Sequence, residues 1–321
     1  MRNIEISIVV VTYNFEKIIL ECLEGIEKQT YKNFEVIIAD DASKDKTIEI
    51  CETWKEKVTD KFPVTIIKSE NNEGVTKNIN KGARLAVKEW VKILAGDDIL
   101  KKDALENFVY FINEYSEAKI IFSKAQEFYS KDRKKMDLEI IPKEINFYKM
   151  SIKKQLKNLL EFGNCIVAPA YIIKNELLKE MNYFDEKYKM VEDYPFWIKL
   201  LKNDVKFYFL NKVTVEYRRS PSSVSGKKKN EAVNPVIFEF EKQFYKDIYL
   251  QEAKNPFRIW DKFIDIKSKE IMLNNNNNKN FYSKLLRKLR IKKMKTLFYK
   301  IIIIFFVLYF FIKYFYNDRS I

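Results

Sequence analysis

From Ile6 to Val11 every position except Ser7 is apolar and β-branched, and the run closes on Thr12, Tyr13 and Asn14. An unbroken apolar run of this kind predicts a strand covered on both faces. Ile18, Ile19, Cys22, Leu23 and Ile26 then fall at three- and four-residue steps through Glu16–Lys28, one apolar stripe with Glu and Lys opposite, which predicts a helix. The order repeats: strand Phe34–Ala39, polar turn Asp40–Ser43, helix Lys46–Lys57 with Ile50 and Trp54 on one face, and strand Val64–Lys68. Helix Thr76–Lys88, strand Trp90–Leu94, helix Ala104–Glu114 and a short strand Ile120–Phe122 follow. Strands alternating with helices predict an α/β chain with a mostly parallel, doubly wound sheet, because parallel neighbours need a helical crossover between them.

Past Ser123 the alternation weakens. Glu127–Glu144 is polar and basic, a mobile loop or a hairpin; helices are expected at Ile152–Phe162, Lys174–Met181 and Tyr194–Asn203, and strands at Val205–Leu210 and Val213–Tyr217. Ser220–Lys229 reads as a flexible basic loop, the aromatic spacing from Ala232 to about Leu273 suggests helices, and 274–278 are five consecutive Asn, a linker. The expected organisation is a catalytic domain over 1–225, a helical extension over 226–278 and a tail over 279–321.

Composition narrows the chemistry. The 321 residues hold no histidine, which removes Ser-His-Asp and Cys-His nucleophile systems and every His-containing metal site; any general base is a carboxylate, Lys, Tyr or Cys. Cys22, Cys51 and Cys165 are too scattered for a disulfide framework or a zinc site and read as reduced core thiols. The net charge of +14 points to nucleic acid until it is located along the chain. Residues 279–321 carry eleven Lys or Arg against one acid, Asp318, which leaves only +4 for everything before them. Within that tail, Ile301–Ile312 is twelve apolar residues without a break, flanked by Lys300 and Lys313 and preceded by the basic stretch Lys284–Lys295. This combination predicts a membrane anchor, spanning or inserted, rather than a nucleic-acid-binding strip. The N-terminus has no small-residue cleavage site after its apolar run, so the catalytic part is expected on the cytoplasmic face of the membrane.

Polar clusters end each of the first four strands: Thr12-Tyr13-Asn14, Asp40-Asp41, Asn71-Asn72 and Gly96-Asp97-Asp98. Each alone is an ordinary cap or turn, but ligands of open parallel sheets bind at the carboxyl ends of the strands, and here four clusters fall in register. Neither G-x-G-x-x-G after the first strand nor G-x-x-x-x-G-K-[ST] is present. Adjacent Asp97 and Asp98 suit a hard divalent cation that takes one or two protein carboxylates and completes its shell with phosphate and water. A second acidic pair, Glu192-Asp193, opens Tyr194-Pro195-Phe196-Trp197, where partial desolvation raises a carboxylate toward a useful base, although acids at a helix start also serve as dipole partners.

The run ISIVVVTYN, EGIEKQTYKNFEVIIADDASKDKT, NNEGVTKNINKGARLA and WVKILAGDDIL, with VEDYPFWIKL downstream, resembles the inverting family 2 glycosyltransferases over about Ile6 to Ser225. That resemblance implies the Rossmann-like GT-A fold and transfer of a sugar from a nucleotide diphosphate-sugar donor to the hydroxyl of a glycan or lipid-linked acceptor. It matches Thr12, Tyr13 and Asp41 to nucleotide contacts, with Asn14 and Asp40 beside them. Asp97 and Asp98 match ribose and metal carboxylates for Mn²⁺ or Mg²⁺, and Asp193 the catalytic base, supported by Glu192. Two positions depart from the family pattern: Ala95 stands where its Asp-x-Asp-Asp motif begins, and Ser220 replaces the histidine of its Tyr-Arg-x-His loop. Arg218 or Arg219 is then expected to help hold the diphosphate. The competing expectations are a sugar nucleotidylyltransferase, whose Gly-rich basic N-terminal signature is missing from Ile4–Lys17, and a basic nucleic-acid-binding protein.

Overall fold

The structure is a computed structural model that describes residues 2–131, 134–219, 232–274 and 283. The chain divides into two compact units, Met1–Ser223 and Val224–Ile321.

The first unit opens as β1 (Ile6–Thr12), α1 (Ile19–Glu27), β2 (Phe34–Asp40), α2 (Thr47–Val58), β3 (Val64–Lys68), α3 (Val75–Leu85) and β4 (Trp90–Ala95). It continues with β5 (Ile99–Leu100), α4 (Ala104–Glu114), β6 (Ile120–Lys131), β7 (Lys134–Ile141), α5 (Asn146–Lys149) and α6 (Ile152–Phe162). It closes with β8 (Tyr171–Lys174), α7 (Asn175–Glu180), α8 (Asp193–Lys202) and β9 (Tyr208–Arg218).

One sheet runs in the order β3-β2-β1-β4-β8-β6-β9-β5, with β7 added to β6. Strands β3, β2, β1 and β4 are mutually parallel, as the alternation predicts. Both faces of β1 are covered: Ile6, Ile8 and Val10 share a core with Cys22 and Leu23 of α1, Cys51 and Trp54 of α2, and Leu105 and Phe108 of α4. The opposite face meets α3, whose Gly82 sits so close that a Cβ there would stand 2.5 Å from Val9 Cγ1.

The other half corrects the mostly parallel expectation, because the sheet is mixed. β8 is antiparallel to both β4 and β6, β5 to β9, and β7 to β6, while β6 and β9 are parallel. The expected short strand at Ile120–Phe122 runs on to Lys131 and turns back as β7, so the polar stretch is a hairpin. The two strands expected over 205–217 are one, β9, with register shifts against β6 around Lys124. β8 and β5 escaped the sequence pattern, since four residues and two residues are too short for an alternation. Cys22 and Cys51 are buried free thiols; Cys165 is free but exposed, which corrects its placement in the core, because it lies in the loop after α6.

In the second unit α9 (Pro235–Phe244) starts with the Asn234 side chain accepting from the Val236 and Ile237 N–H groups and Pro235 in the first turn. A π-helical turn (Tyr245–Tyr249), α10 (Leu250–Glu252) and α11 (Pro256–Asn274) follow. The Ser220–Lys229 loop, all but the first residue of the five-Asn linker, and the tail apart from Ser283 lie outside the described residues. Among the described residues no helix is long and apolar enough to cross a membrane.

Candidate active site

Parallel register sets Thr12 opposite Asp40, and Val11 opposite both Ala39 and Ala95, so the polar segments after β1, β2 and β4 leave the sheet at one edge. The Asp41 N–H donates to Thr12 O (3.0 Å) and the Gly96 N–H to Val11 O (2.8 Å). A Cβ on Gly96 would stand 3.2 Å from that carbonyl, so glycine lets the acidic turn close against β1.

At the end of β1 the Thr12 hydroxyl is buried and has no hydrogen-bond partner among the described residues. Tyr13 beside it is 40% exposed, an open aromatic surface. Asn14 adopts φ 55° and stitches two loops together: its N–H donates to Ser43 Oγ (2.8 Å) and its Oδ1 accepts from the Lys44 N–H (2.8 Å). Asp40 is fully buried, and its carboxylate accepts from both the N–H and the hydroxyl of Ser43. Both of its oxygens thus build the turn beside the expected nucleotide contacts. Asp41 accepts from the Glu73 N–H (2.9 Å) and the Gly74 N–H (2.8 Å) and so ties β2 to the start of α3.

The Asp97-Asp98 pair is held from β9. The Arg218 N–H donates to Asp98 Oδ1 (2.9 Å), its Nε to the Asp97 carbonyl (2.8 Å) and its terminal nitrogen to Glu21 (2.8 Å), with the guanidinium over the Phe128 ring. At 5% exposure Arg218 is a buried strut; Arg219, paired with Glu127 and stacked on Tyr217, is the more open of the two arginines expected near the diphosphate. Burial raises both acids above the usual aspartate range, and at Asp98 the charge of Asp97 adds to it, while Arg218 pulls both back. Among the described residues no three metal-ligating side chains cluster. The chemistry of the pair nevertheless fits a divalent cation, since adjacent hard carboxylates strained by mutual repulsion are relieved by a positive charge, with diphosphate and water supplying the other ligands.

Sequence reasoning passed over Lys92. It is fully buried on β4, donating to the Ile93 carbonyl (2.7 Å) and the Pro169 carbonyl (2.6 Å), and burial pushes its ammonium down to about 7 against the pull of Asp98. The signal was there: a lysine within WVKILA, a strand covered on both faces, must be buried and therefore hydrogen-bonded.

Glu192 and Asp193 stand at the start of α8. Behind them Trp197 meets Phe122 (ring centroids 5.1 Å) and Tyr171 (5.0 Å) edge-on, and Tyr194 Oη donates to the Leu159 carbonyl (2.6 Å). The approach to the pair is tied to α3: Asn80 exchanges hydrogen bonds with Phe184 (2.9 and 3.1 Å), and the Thr76 hydroxyl donates to the Tyr188 carbonyl. The element that receives the Asp41 carboxylate therefore also fixes the approach to the second acidic pair. Burial first, then the charge of Asp193, pushes Glu192 up to about 8, and burial raises Asp193 despite the N–H groups that point at it. Tyr217 on β9 joins the two pairs: burial raises its phenol to about 12, and Asp98, Asp97 and Asp193 all act on it. Asp193 of the second pair thus lies within electrostatic reach of the same phenol as Asp97 and Asp98.

The glycosyl transferase family 2 model matches residues 7–177, more than half of the chain. The chain belongs to glycosyl transferase family 2. An uncharacterized glycosyltransferase of Methanocaldococcus jannaschii, MJ1057, is 30% identical over 215 residues, covering 66% of this chain and 70% of its own. The Escherichia coli UDP-Glc:α-D-GlcNAc-diphosphoundecaprenol β-1,3-glucosyltransferase WfaP is 27% identical over 71% of this chain and 82% of its own. Staphylococcus aureus TarS 1–349, solved in complex with UDP-GlcNAc, superposes with a TM-score of 0.61 at 21% identity, covering 88% of this chain and 78% of that one. That likeness shows the GT-A-like α/β fold with its mixed sheet. Family membership decides for glycosyl transfer over nucleotidyl transfer, and the protein is a glycosyltransferase.

Proposed function

We propose that this glycosyltransferase moves a sugar from a uridine diphosphate-sugar to a hydroxyl of a lipid-linked or glycan acceptor of the cell envelope, with inversion, at the cytoplasmic face of the membrane. The observation that carries it is that Asp97, Asp98 and Asp193 all act on the Tyr217 phenol, which sets acids suited to the donor's diphosphate within electrostatic reach of one suited to an acceptor's proton. Tyr13 offers its exposed ring to the base, and Asp41, fixed by two N–H groups, keeps further lone pairs for it. The buried, unpartnered Thr12 hydroxyl stands ready for a donor atom, Arg219 is the arginine for the diphosphate, and Asp97 and Asp98 would hold Mn²⁺ or Mg²⁺. A bound cation neutralises charge on the departing diphosphate. Asp193 takes the proton of the attacking hydroxyl, with Glu192 beside it, while the hydroxyl adds to C1 from the face opposite the leaving group.

WfaP is named for a β-1,3 product from UDP-Glc, which supports inversion here, and its diphosphoundecaprenol acceptor supports a lipid-linked one. The basic, apolar tail over 279–321 supports membrane attachment. The test is release of UDP from UDP-Glc or UDP-GlcNAc with diphosphoundecaprenol-linked sugars as acceptors. Asp193→Asn should lower turnover by ~10²–10⁴ with UDP affinity retained. Turnover near the wild-type rate in that variant would move the base elsewhere.

A further inference from the structure

Gly163, at φ 93°, ends α6 and turns the chain so that Asn164 faces the start of α8. There Asn164 Nδ2 donates to Asp193 Oδ2 at 3.0 Å, while its Oδ1 accepts from the Ile166 N–H at 3.0 Å. These two bonds fix the carboxamide's orientation. A flipped amide would set oxygen against oxygen at Asp193 and N–H against N–H at Ile166, so the loop itself forces a donor onto one carboxylate of the acidic pair.

We propose that Asn164 is a positioning residue that allocates the proton shared by the acidic pair, holding Asp193 ionised and leaving the proton on Glu192. This rests on Asp193 being the base. A carboxylate that receives an N–H group is favoured in its charged form, and Asp193 receives that of Asn164, with the Tyr194 backbone N–H acting in the same direction. Two adjacent, half-buried carboxylates set against the aromatic start of α8 do not both ionise readily, so stabilising one charge keeps its neighbour protonated. The other titratable groups acting with the pair are Tyr171 of β8 and Tyr217 of β9, both shifted upward and neutral through the working range, with Arg219 stacked on Tyr217. The consequence is functional. The base is ready at neutral pH, and the protonated Glu192 keeps the site from accumulating a second negative charge where the acceptor hydroxyl approaches.

The experiment is a carboxyl ¹³C NMR titration of the full chain labelled at Asp and Glu side-chain carboxyls, between about pH 4 and pH 9, with Asp193→Asn and Glu192→Gln assigning the two resonances. Asp193 should titrate below Glu192. Asn164→Ala should move the Asp193 step up by about one pH unit, since the charged carboxylate loses a donor. Asn164→Asp is the sharper variant: it has the same shape and keeps an acceptor for the Ile166 N–H, but turns an acceptor toward Asp193. It should raise the Asp193 step further than Asn164→Ala does. A role in shape alone would leave Asn164→Asp like the wild type, and that result overturns the proposal, as does titration of Glu192 before Asp193 in the native chain. Release of UDP from UDP-GlcNAc supplies the kinetic arm, in which the acid limb of kcat should move to higher pH in Asn164→Asp. If Asp193→Asn keeps its turnover while the titration order holds, the base assignment has failed and the proton allocation has not.

Discussion

Asp98 and Glu192 are both pressed upward in pKa by burial and by a neighbouring aspartate, and different measurements test them. Asp98 is 1% exposed and crowded by Asp97. A divalent cation would relieve it. Wild-type protein with UDP and Mn²⁺ at about 100 times the dissociation constant should gain ~2.7 kcal/mol of stability, and Asp98→Ala should lose the part of that gain that EDTA removes from the wild type. Thermal unfolding with and without EDTA reads this directly; an equal gain in Asp98→Ala would remove the acidic turn from the donor site. Glu192, pushed up to about 8 by burial and by Asp193, has a consequence for stability. Between the ordinary glutamate range and about 8 the native state keeps a proton that the unfolded chain has released, so unfolding free energy falls as pH rises through that window, by at most ~1.4 kcal/mol per pH unit for one proton. Glu192→Gln keeps the shape and removes the titration. Its urea midpoints from pH 5 to pH 8 should be flatter than those of the wild type, and an unchanged slope would mean that another group holds the proton.

Helix α3 joins several parts of the site. Its start receives Asp41, its Thr76 and Asn80 hold the chain that leads to the second acidic pair, and its Gly82 lets it lie against β1 and β2. A Cβ at Gly82 would meet Val9 Cγ1 at 2.5 Å and Ala39 Cβ at 3.3 Å, so Gly82→Ala pushes the helix off the sheet. The expected loss is ~1–3 kcal/mol, read as a lower urea midpoint, with UDP affinity falling as well because both ends of α3 shift. If stability falls and UDP affinity does not, α3 is packing alone. The parallel half, β3-β2-β1-β4, was legible because each strand carries enough β-branched residues to show its burial, and the donor-side clusters followed from where those strands end. The antiparallel half was not. β8 has four residues, β5 two, and the β6–β7 hairpin is polar and basic, so its strands show in pairing rather than in apolar pattern. The acidic residues were visible by type and spacing. Their supports were hidden, because what Asp40, Arg218 and Asn164 do is set by contacts between residues 3, 120 and 29 positions apart.

Charge is divided along the whole chain in a way that the fold of the catalytic part does not require. The tail over 279–321 carries ten of the fourteen excess positive charges, and its apolar run Ile301–Ile312 lies between Lys300 and Lys313. Two forces of different origin would then act on one segment. Attraction of basic residues to an anionic lipid surface is worth ~1 kcal/mol per residue near the surface and is screened by salt, whereas burial of the apolar run is insensitive to it. A chain with both should sediment with vesicles of mixed zwitterionic and anionic lipid at low salt and stay largely bound at high salt. On purely zwitterionic vesicles it should bind more weakly but measurably. The chain ended at Lys279 should remain in the supernatant under every condition and still be stabilised by UDP with Mn²⁺, because the donor-side residues all lie before Ser220. Full release of the intact chain by salt would leave only the electrostatic attraction, and sedimentation of the shortened chain would move membrane contact to the catalytic part.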